Sequence, residues 1–201
     1  MKIIGITGGI GAGKSELLRY IGKHYRSEIY LADGVAHQVE QPGTECFQRL
    51  KELLGSGIEG QDKTLDRAAM AEIIFGNPRL LEQVNEIVHP AVKEFLLQRM
   101  QQAREEGKTE LFFVEAALLI EGGYGSLVDE MWYVYADEAA RRDRLEKSRG
   151  YSPEKITGII SRQLTEEDFR KNSDFILDNS GSLEESYRQI DRKLEAFTWQ
   201  E

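Results

Sequence analysis

Five glycines fall within the eleven residues Gly5-Ile6-Thr7-Gly8-Gly9-Ile10-Gly11-Ala12-Gly13-Lys14-Ser15, near the start of the chain. Glycine loses more conformational entropy on folding than any other residue, so such a run belongs where side chains would be in the way. Its flanks are equally informative. Ile3-Ile4-Gly5-Ile6 is a short β-branched run of the kind that forms a strand buried on both faces. Glu16 to Tyr25 carries Leu17, Leu18 and Ile21 at helical spacing. The chain therefore opens as strand, glycine loop, helix.

Gly8-x-x-x-x-Gly13-Lys14-Ser15 satisfies the pattern G-x-x-x-x-G-K-[ST], in the strand-to-helix context that pattern requires. The chemistry explains the spacing. Successive backbone N–H groups curl around a polyphosphate, and the following helix adds the positive end of its dipole. Gly8, Gly9, Gly11, Ala12 and Gly13 are then the nucleotide cradle, with Lys14 reaching the β- and γ-phosphates and the Ser15 hydroxyl ligating Mg²⁺. Two other readings compete. One is a glycine-rich turn with no ligand. The other is a dinucleotide fingerprint, which Gly9-Ile10-Gly11-Ala12-Gly13 only echoes.

Further short apolar runs at Ile29–Leu31, Leu111–Val114, Met131–Tyr135 and Phe175–Leu177 read as strands. Helices are expected from Asp137, from Pro153 and from about Leu183, and 34–107 reads as almost wholly helical, with breaks at Pro42-Gly43, Gly55–Gly60, Asn77-Pro78 and His89-Pro90. Alternation of apolar strands with helices predicts an α/β fold: a P-loop NTPase-type parallel five-stranded sheet flanked by helices. The expected organisation is one kinase domain over 1–201. Its nucleotide core is 1–33, 108–136 and 173–201, its inserted helical substrate lobe is 34–107, and its small lid is 137–172. A net charge of −9 argues against bulk attraction to nucleic acid or an anionic membrane. A single cysteine, Cys46, and no apolar run near the ~20 residues of a membrane span fit a cytoplasmic protein, monomeric or weakly self-associating. Cys46 is expected buried, His24 and His37 exposed, and Trp132 and Tyr133 in the core; Trp199, near the terminus, is uninformative.

A guanine-nucleotide switch would carry an N-K-x-D segment, and none is present. Val114-Glu115 could be the acidic strand end of a motor ATPase, although Ala116 to Ile120 reads as packing. A small-molecule kinase needs a carboxylate near the γ-phosphate, a lobe for the acceptor, and an arginine-bearing lid that excludes water. Asp33, ending the second strand, could be that carboxylate or merely a helix N-cap before Gly34-Val35-Ala36. Arg141, Arg142, Arg144 and Arg149 could serve a lid or decorate a solvated helix, where Glu138/Arg142 and Asp143/Lys147 are i,i+4 pairs. A kinase for another small acceptor, such as a nucleoside monophosphate, and a non-catalytic nucleotide-binding regulator would share these features.

An ordered set of segments resembles the dephospho-coenzyme A kinase family nearly end to end: IGITGGIGAGKS, LADGVAHQVEQPG, LDRAAMAEIIFGNP, VNEIVHPAV, ALLIE and SDFILDNSGS. The resemblance implies transfer of a phosphoryl group from ATP, with Mg²⁺, to the ribose 3′-hydroxyl of dephospho-coenzyme A, a small-molecule substrate. It implies Asp33, Lys14 and Arg144 as catalytic residues, Asp33, Arg67, His89 and Glu121 as acceptor contacts, and Glu16 as the last nucleotide-binding position. The chain departs from the family pattern at Glu16, where a hydroxyl residue is usual, and at Leu31-Ala32-Asp33, where Asp-Ala-Asp is common. It also departs at Ala117-Leu118-Leu119, usually Pro-Leu-Leu, and at Phe169, where a basic residue is common. His89-Pro90 is a family mark whose plainer reading is a kink between two helices.

Overall fold

The computed structural model describes residues 1–116 and 118–198, so Ala117 and Trp199 lie outside the described residues. The elements run β1 (Lys2–Thr7), α1 (Lys14–His24), β2 (Ser27–Leu31), α2 (Ala32–Val39), α3 (Glu45–Leu54), α4 (Arg67–Ile74), α5 (Pro78–Glu106) and β3 (Leu111–Glu115). They continue with β4 (Glu130–Tyr135), α6 (Glu138–Arg149), α7 (Pro153–Ile160), α8 (Glu166–Lys171), β5 (Phe175–Asp178) and α9 (Leu183–Thr198). The strands form one sheet in the order β2-β3-β1-β4-β5. β1 is central and runs parallel to β3, with Ile4 opposite Phe113, and to β4, with Ile6 opposite Trp132; β4 runs parallel to β5. Each strand expected from the sequence is present. Burial on both faces is what makes the central strands continuous apolar runs rather than alternating ones.

The chain divides into two compact units, Met1–Ile29 with Glu106–Glu201, and Tyr30–Glu105. The first holds the hydrophobic core, in which Ile4, Ile6 and Trp132 of the sheet pack with Leu17 and Ile21 of α1 and Ile190 of α9. Trp132 is fully buried, with Phe113 and Phe175 edge-on at 5.8 and 5.0 Å. Phe169 is buried too, its ring stacked on Tyr133 at 4.7 Å, so the aromatic replaces a basic residue by packing. α8 is an element the sequence reading passed over; it starts in a capping box between Thr165 and Asp168.

In the second unit, local caps fix where the helices begin. Thr44 accepts from the Phe47 N–H at 3.1 Å to start α3, and Asp66 accepts from the Ala69 N–H at 3.0 Å to start α4. The expected break at His89-Pro90 is corrected: α5 runs unbroken through Pro90. Proline inside a helix costs about 3 kcal/mol, because it removes one N–H and its ring crowds the preceding turn. Val84, Ile87 and Val88 before it and Val92 and Leu96 after it are all buried, at roughly 1.5–3 kcal/mol each, which outweighs that cost. Cys46 is buried, and its burial, with the Glu40 charge nearby, pushes the thiol up to about 11. His24 and His37 are exposed. Among the described residues no helix is long and apolar enough to cross a membrane.

Candidate active site

The glycine loop leaves the carboxyl end of β1 and feeds α1. Its glycines are required by geometry at two levels. Gly8, Gly11 and Gly13 have φ of 148°, 79° and 89°, the region L side chains rarely adopt. A Cβ on Gly8 would also stand 2.5 Å from the Val134 carbonyl oxygen, and one on Gly13 would stand 2.4 Å from Asn179 Nδ2. Gly9 has no such backbone constraint, but a Cβ there would lie 2.4 Å from Arg141 Nη2. Gly13 is the N-cap of α1 with no side-chain cap, so the first N–H groups of the helix lack partners within it and face an anion's natural seat.

Lys14 bends back over this loop. Its Nζ donates to the Gly8 carbonyl at 2.7 Å and lies 3.5 Å from the Glu115 carboxylate at the end of β3. Ser15, in the first turn, is exposed. Glu16 does not point its charge into the loop unopposed: its carboxylate pairs with Arg19 and accepts from the Tyr187 hydroxyl at 3.4 Å. No group of three or more His, Cys, Asp or Glu side chains able to hold a metal occurs among the described residues. A Ser hydroxyl beside a polyphosphate cradle suits a Mg²⁺ that keeps waters and takes the rest of its oxygens from phosphate. The loop therefore fits such an ion.

Two arginines of α6 and the end of β5 fasten the loop from outside. Arg144 Nη2 donates to the Asn179 carbonyl at 2.7 Å, and its Nη1 lies 3.5 and 3.4 Å from the Gly11 and Ala12 carbonyls. Asn179 is buried; its Nδ2 donates to the Ala12 carbonyl at 2.7 Å, while its Oδ1 accepts from Ser186 at 2.8 Å. Arg141 donates from Nε to the Ile10 carbonyl at 2.9 Å and from Nη2 to Gln163 Oε1 at 2.7 Å, and Gln163 Oε1 also accepts from the Ile10 N–H at 3.2 Å. Both backbone polar groups of one loop residue, Ile10, are thus held by the segment expected to form the lid. Burial lowers the Arg141 pKa. Gln163 was not among the residues singled out from the sequence; nothing local marks it. Asn179 carried only its place in the closing Asp-Asn segment.

The other expected site residues lie elsewhere. Asp33 sits inside the first turn of α2, whose N-cap is Leu31, so the N-cap reading of Asp33 is corrected. Its carboxylate is exposed and makes no hydrogen bond or ion pair among the described residues. Arg67, first residue of α4, pairs with the carboxylate of Glu40. His89 is exposed midway along α5. Glu121 is exposed in the turn after β3, where the Gly122 N–H donates to the Leu118 carbonyl at 2.8 Å. The structure thus gathers Gly8–Ser15, Glu115 and Arg144 in the first unit, and holds Asp33, Arg67 and His89 on the second.

Comparison with known proteins adds the family. The curated dephospho-CoA kinase of Symbiobacterium thermophilum is 33% identical over 191 residues, covering 95% of this chain and 79% of that protein. The dephospho-CoA kinase of Carboxydothermus hydrogenoformans is 33% identical over 201 residues, covering 100% of this chain and 97% of its own. The crystal structure of TT1252 from Thermus thermophilus superposes with a TM-score of 0.78 at 31% identity, covering 97% of each chain. The family model described as CoaE, dephospho-CoA kinase, matches residues 2–185. With its phosphate loop in place and likeness along nearly its whole length, the chain belongs to the dephospho-CoA kinase family.

Proposed function

We propose that this chain transfers the γ-phosphoryl group of ATP to the ribose 3′-hydroxyl of dephospho-coenzyme A, giving coenzyme A and ADP, the last step of coenzyme A synthesis. The observation that carries the reading is the loop of Gly8 to Ser15, with left-handed glycines and Lys14 folded across it, in a chain of this family. The N–H groups of the loop and of the first turn of α1 bind the β-phosphate. Lys14 exchanges the Gly8 carbonyl for phosphate oxygens, and Glu115 keeps its ammonium aimed at the loop. Ser15 would hold Mg²⁺, which neutralises charge on the transferring group when bound.

Asp33 follows directly from the end of β2, as the glycine loop follows from the end of β1. Its unpartnered carboxylate accepts the proton of the 3′-hydroxyl as the oxygen–phosphorus bond forms and the bond to ADP breaks. Arg144, beside the Gly11 and Ala12 carbonyls, stabilises charge on the phosphates. The test mixes the protein with Mg-ATP and dephospho-coenzyme A, and follows coenzyme A by mass spectrometry. The parent is expected to make coenzyme A, and Asp33→Asn to lose about 10²–10⁴-fold in rate, the usual worth of a general base. Phosphorylation of a nucleotide instead would overturn the acceptor; an undiminished Asp33→Asn would overturn the base.

A further inference from the structure

Glu40 is the one charged residue buried among the described residues, 3% exposed, and its carboxylate is met by Arg67, 27 residues on. Burying a carboxylate is costly unless it is paired and hydrogen-bonded, so the guanidinium is pinned by what it neutralises. Both partners stand on fixed positions. Glu40 is the C-cap of α2, its N–H bonded to the Ala36 carbonyl at 3.1 Å, and Thr44 Oγ1 donates to the neighbouring Val39 carbonyl at 2.5 Å. Arg67 is the first residue of α4, held by the Asp66 cap and by the Asp66 N–H donating to the Ile58 carbonyl at 2.8 Å.

The Arg67 side chain is 40% exposed, and Glu40 is its single ionic partner among the described residues. A guanidinium has five N–H donors, so most of its fork remains available. A fork anchored on one edge and open on the other suits a phosphate or diphosphate. The register of α2 places this fork relative to Asp33. Asp33 and Glu40 are seven residues apart, which is two helical turns, so they share a face about 10 Å apart along the axis. In dephospho-coenzyme A the 3′-oxygen lies about five bonds of ~1.5 Å from the first phosphorus of the 5′-diphosphate, with the second phosphate about 3 Å beyond. One face of one helix thus offers a carboxylate for the hydroxyl and, two turns on, an anchored cation for the diphosphate.

We infer that Glu40 is a positioning residue for the acceptor: it holds Arg67 so that the open edge of the guanidinium binds the 5′-diphosphate of dephospho-coenzyme A. The inference rests on the acceptor proposed above. The experiment is steady-state kinetics of the parent, Glu40→Gln, Arg67→Lys and the double variant, with adenosine as a competitor of the acceptor at saturating ATP. Adenosine shares the nucleoside and lacks the diphosphate. Arg67→Lys is expected to raise KM for dephospho-coenzyme A about 10–100-fold, as for loss of a charge-assisted bidentate contact, and Glu40→Gln about 3–10-fold. In both, kcat, KM for ATP and the adenosine inhibition constant stay within about twofold, and the double variant is no worse than Arg67→Lys alone, because both act through one contact. An unchanged KM, or a rise shared by ATP or adenosine, overturns the inference. Arg67→Lys keeps a cation over Glu40, so the comparison stands even if Glu40→Gln folds poorly. A parent that does not phosphorylate dephospho-coenzyme A overturns the acceptor reading instead.

Discussion

Asn179→Asp changes one atom in the fastening of the phosphate loop. In the parent, the Asn179 amide nitrogen meets the Ala12 carbonyl at 2.7 Å and the amide oxygen accepts from Ser186 at 2.8 Å, with Asn179 and Ser186 both buried. The carbonyl can only accept, which fixes the orientation of the amide. An ionised carboxylate keeps the Ser186 bond but turns an oxygen toward the Ala12 oxygen. A lost hydrogen bond is worth about 1 kcal/mol net, and a buried acceptor left facing an anion adds about 1–3 kcal/mol. Arg144, already bonded to the Asn179 carbonyl, offsets part of this, so the expected loss is about 2–3 kcal/mol at pH 8. Ser186→Ala, which removes the other bond together with the longer contacts of the same hydroxyl to the Asp178 and Ser182 carbonyls at 3.2 and 3.4 Å, should cost about 1 kcal/mol. The protonated form of the introduced carboxyl can donate to Ala12, so its pKa rises on folding. Its penalty is therefore small below the unfolded value of ~3.9 and grows as pH rises through the folded pKa. Because the amide nitrogen holds the Ala12 carbonyl in the phosphate loop, directly before Gly13 and α1, KM for ATP should rise in step. Urea unfolding at pH 5 and pH 8 reads the stability, and initial rates read KM. A variant within about 0.5 kcal/mol of the parent at pH 8 would refute the role of Asn179, as would a deficit that shrinks with rising pH.

Two further outcomes are expected. Gly9→Ala suits the backbone but places a methyl where the Arg141 guanidinium lies, so the arginine must leave its bonds to Ile10 and Gln163. Stability should fall by about 1–3 kcal/mol. Gly9→Ala added to Arg141→Ala should cost nothing more, and additive losses in urea melts would count against the displacement. Glu130 is partly buried, which alone would raise its pKa, but hydrogen bonds from Trp132 and Lys193 and the charges of Lys193 and Lys2 hold it below the usual glutamate value. Its stabilisation is present above the unfolded value of ~4.3 and lost as pH falls through the depressed folded one, so Glu130→Gln should flatten the acid limb of the stability–pH curve. An acid limb as steep as the parent's would show that the ion pairs contribute nothing.

The sequence by itself determined the local parts. The glycine loop, the apolar runs of β1 to β5 and the Lys-Ser pair act within a few residues, where dihedral preference and periodicity are encoded directly; the caps at Thr44, Asp66 and Thr165 are as local but emerge only with the structure. Pro90 was misread because a local rule met a non-local force: the helix breaker is there, and burial along α5 overrides it. The three arginines at 141, 142 and 144 read alike on one helix, yet Arg141 turns to Ile10 and Gln163, Arg142 to Glu138, and Arg144 to Asn179. The Arg142 pair is the local i,i+4 one, whereas Arg141 and Arg144 are sorted by the face each shows to Gln163 and Asn179 and to Ile10, Gly11 and Ala12, the last three more than a hundred residues away in the chain. Gln163 at the tip of the loop, Asn179 under Ala12, and Glu40 beneath Arg67 were decided the same way. A polar side chain's partner is chosen by which buried donor or acceptor would otherwise go unmet, and that is set only when the sheet and its covering helices have packed.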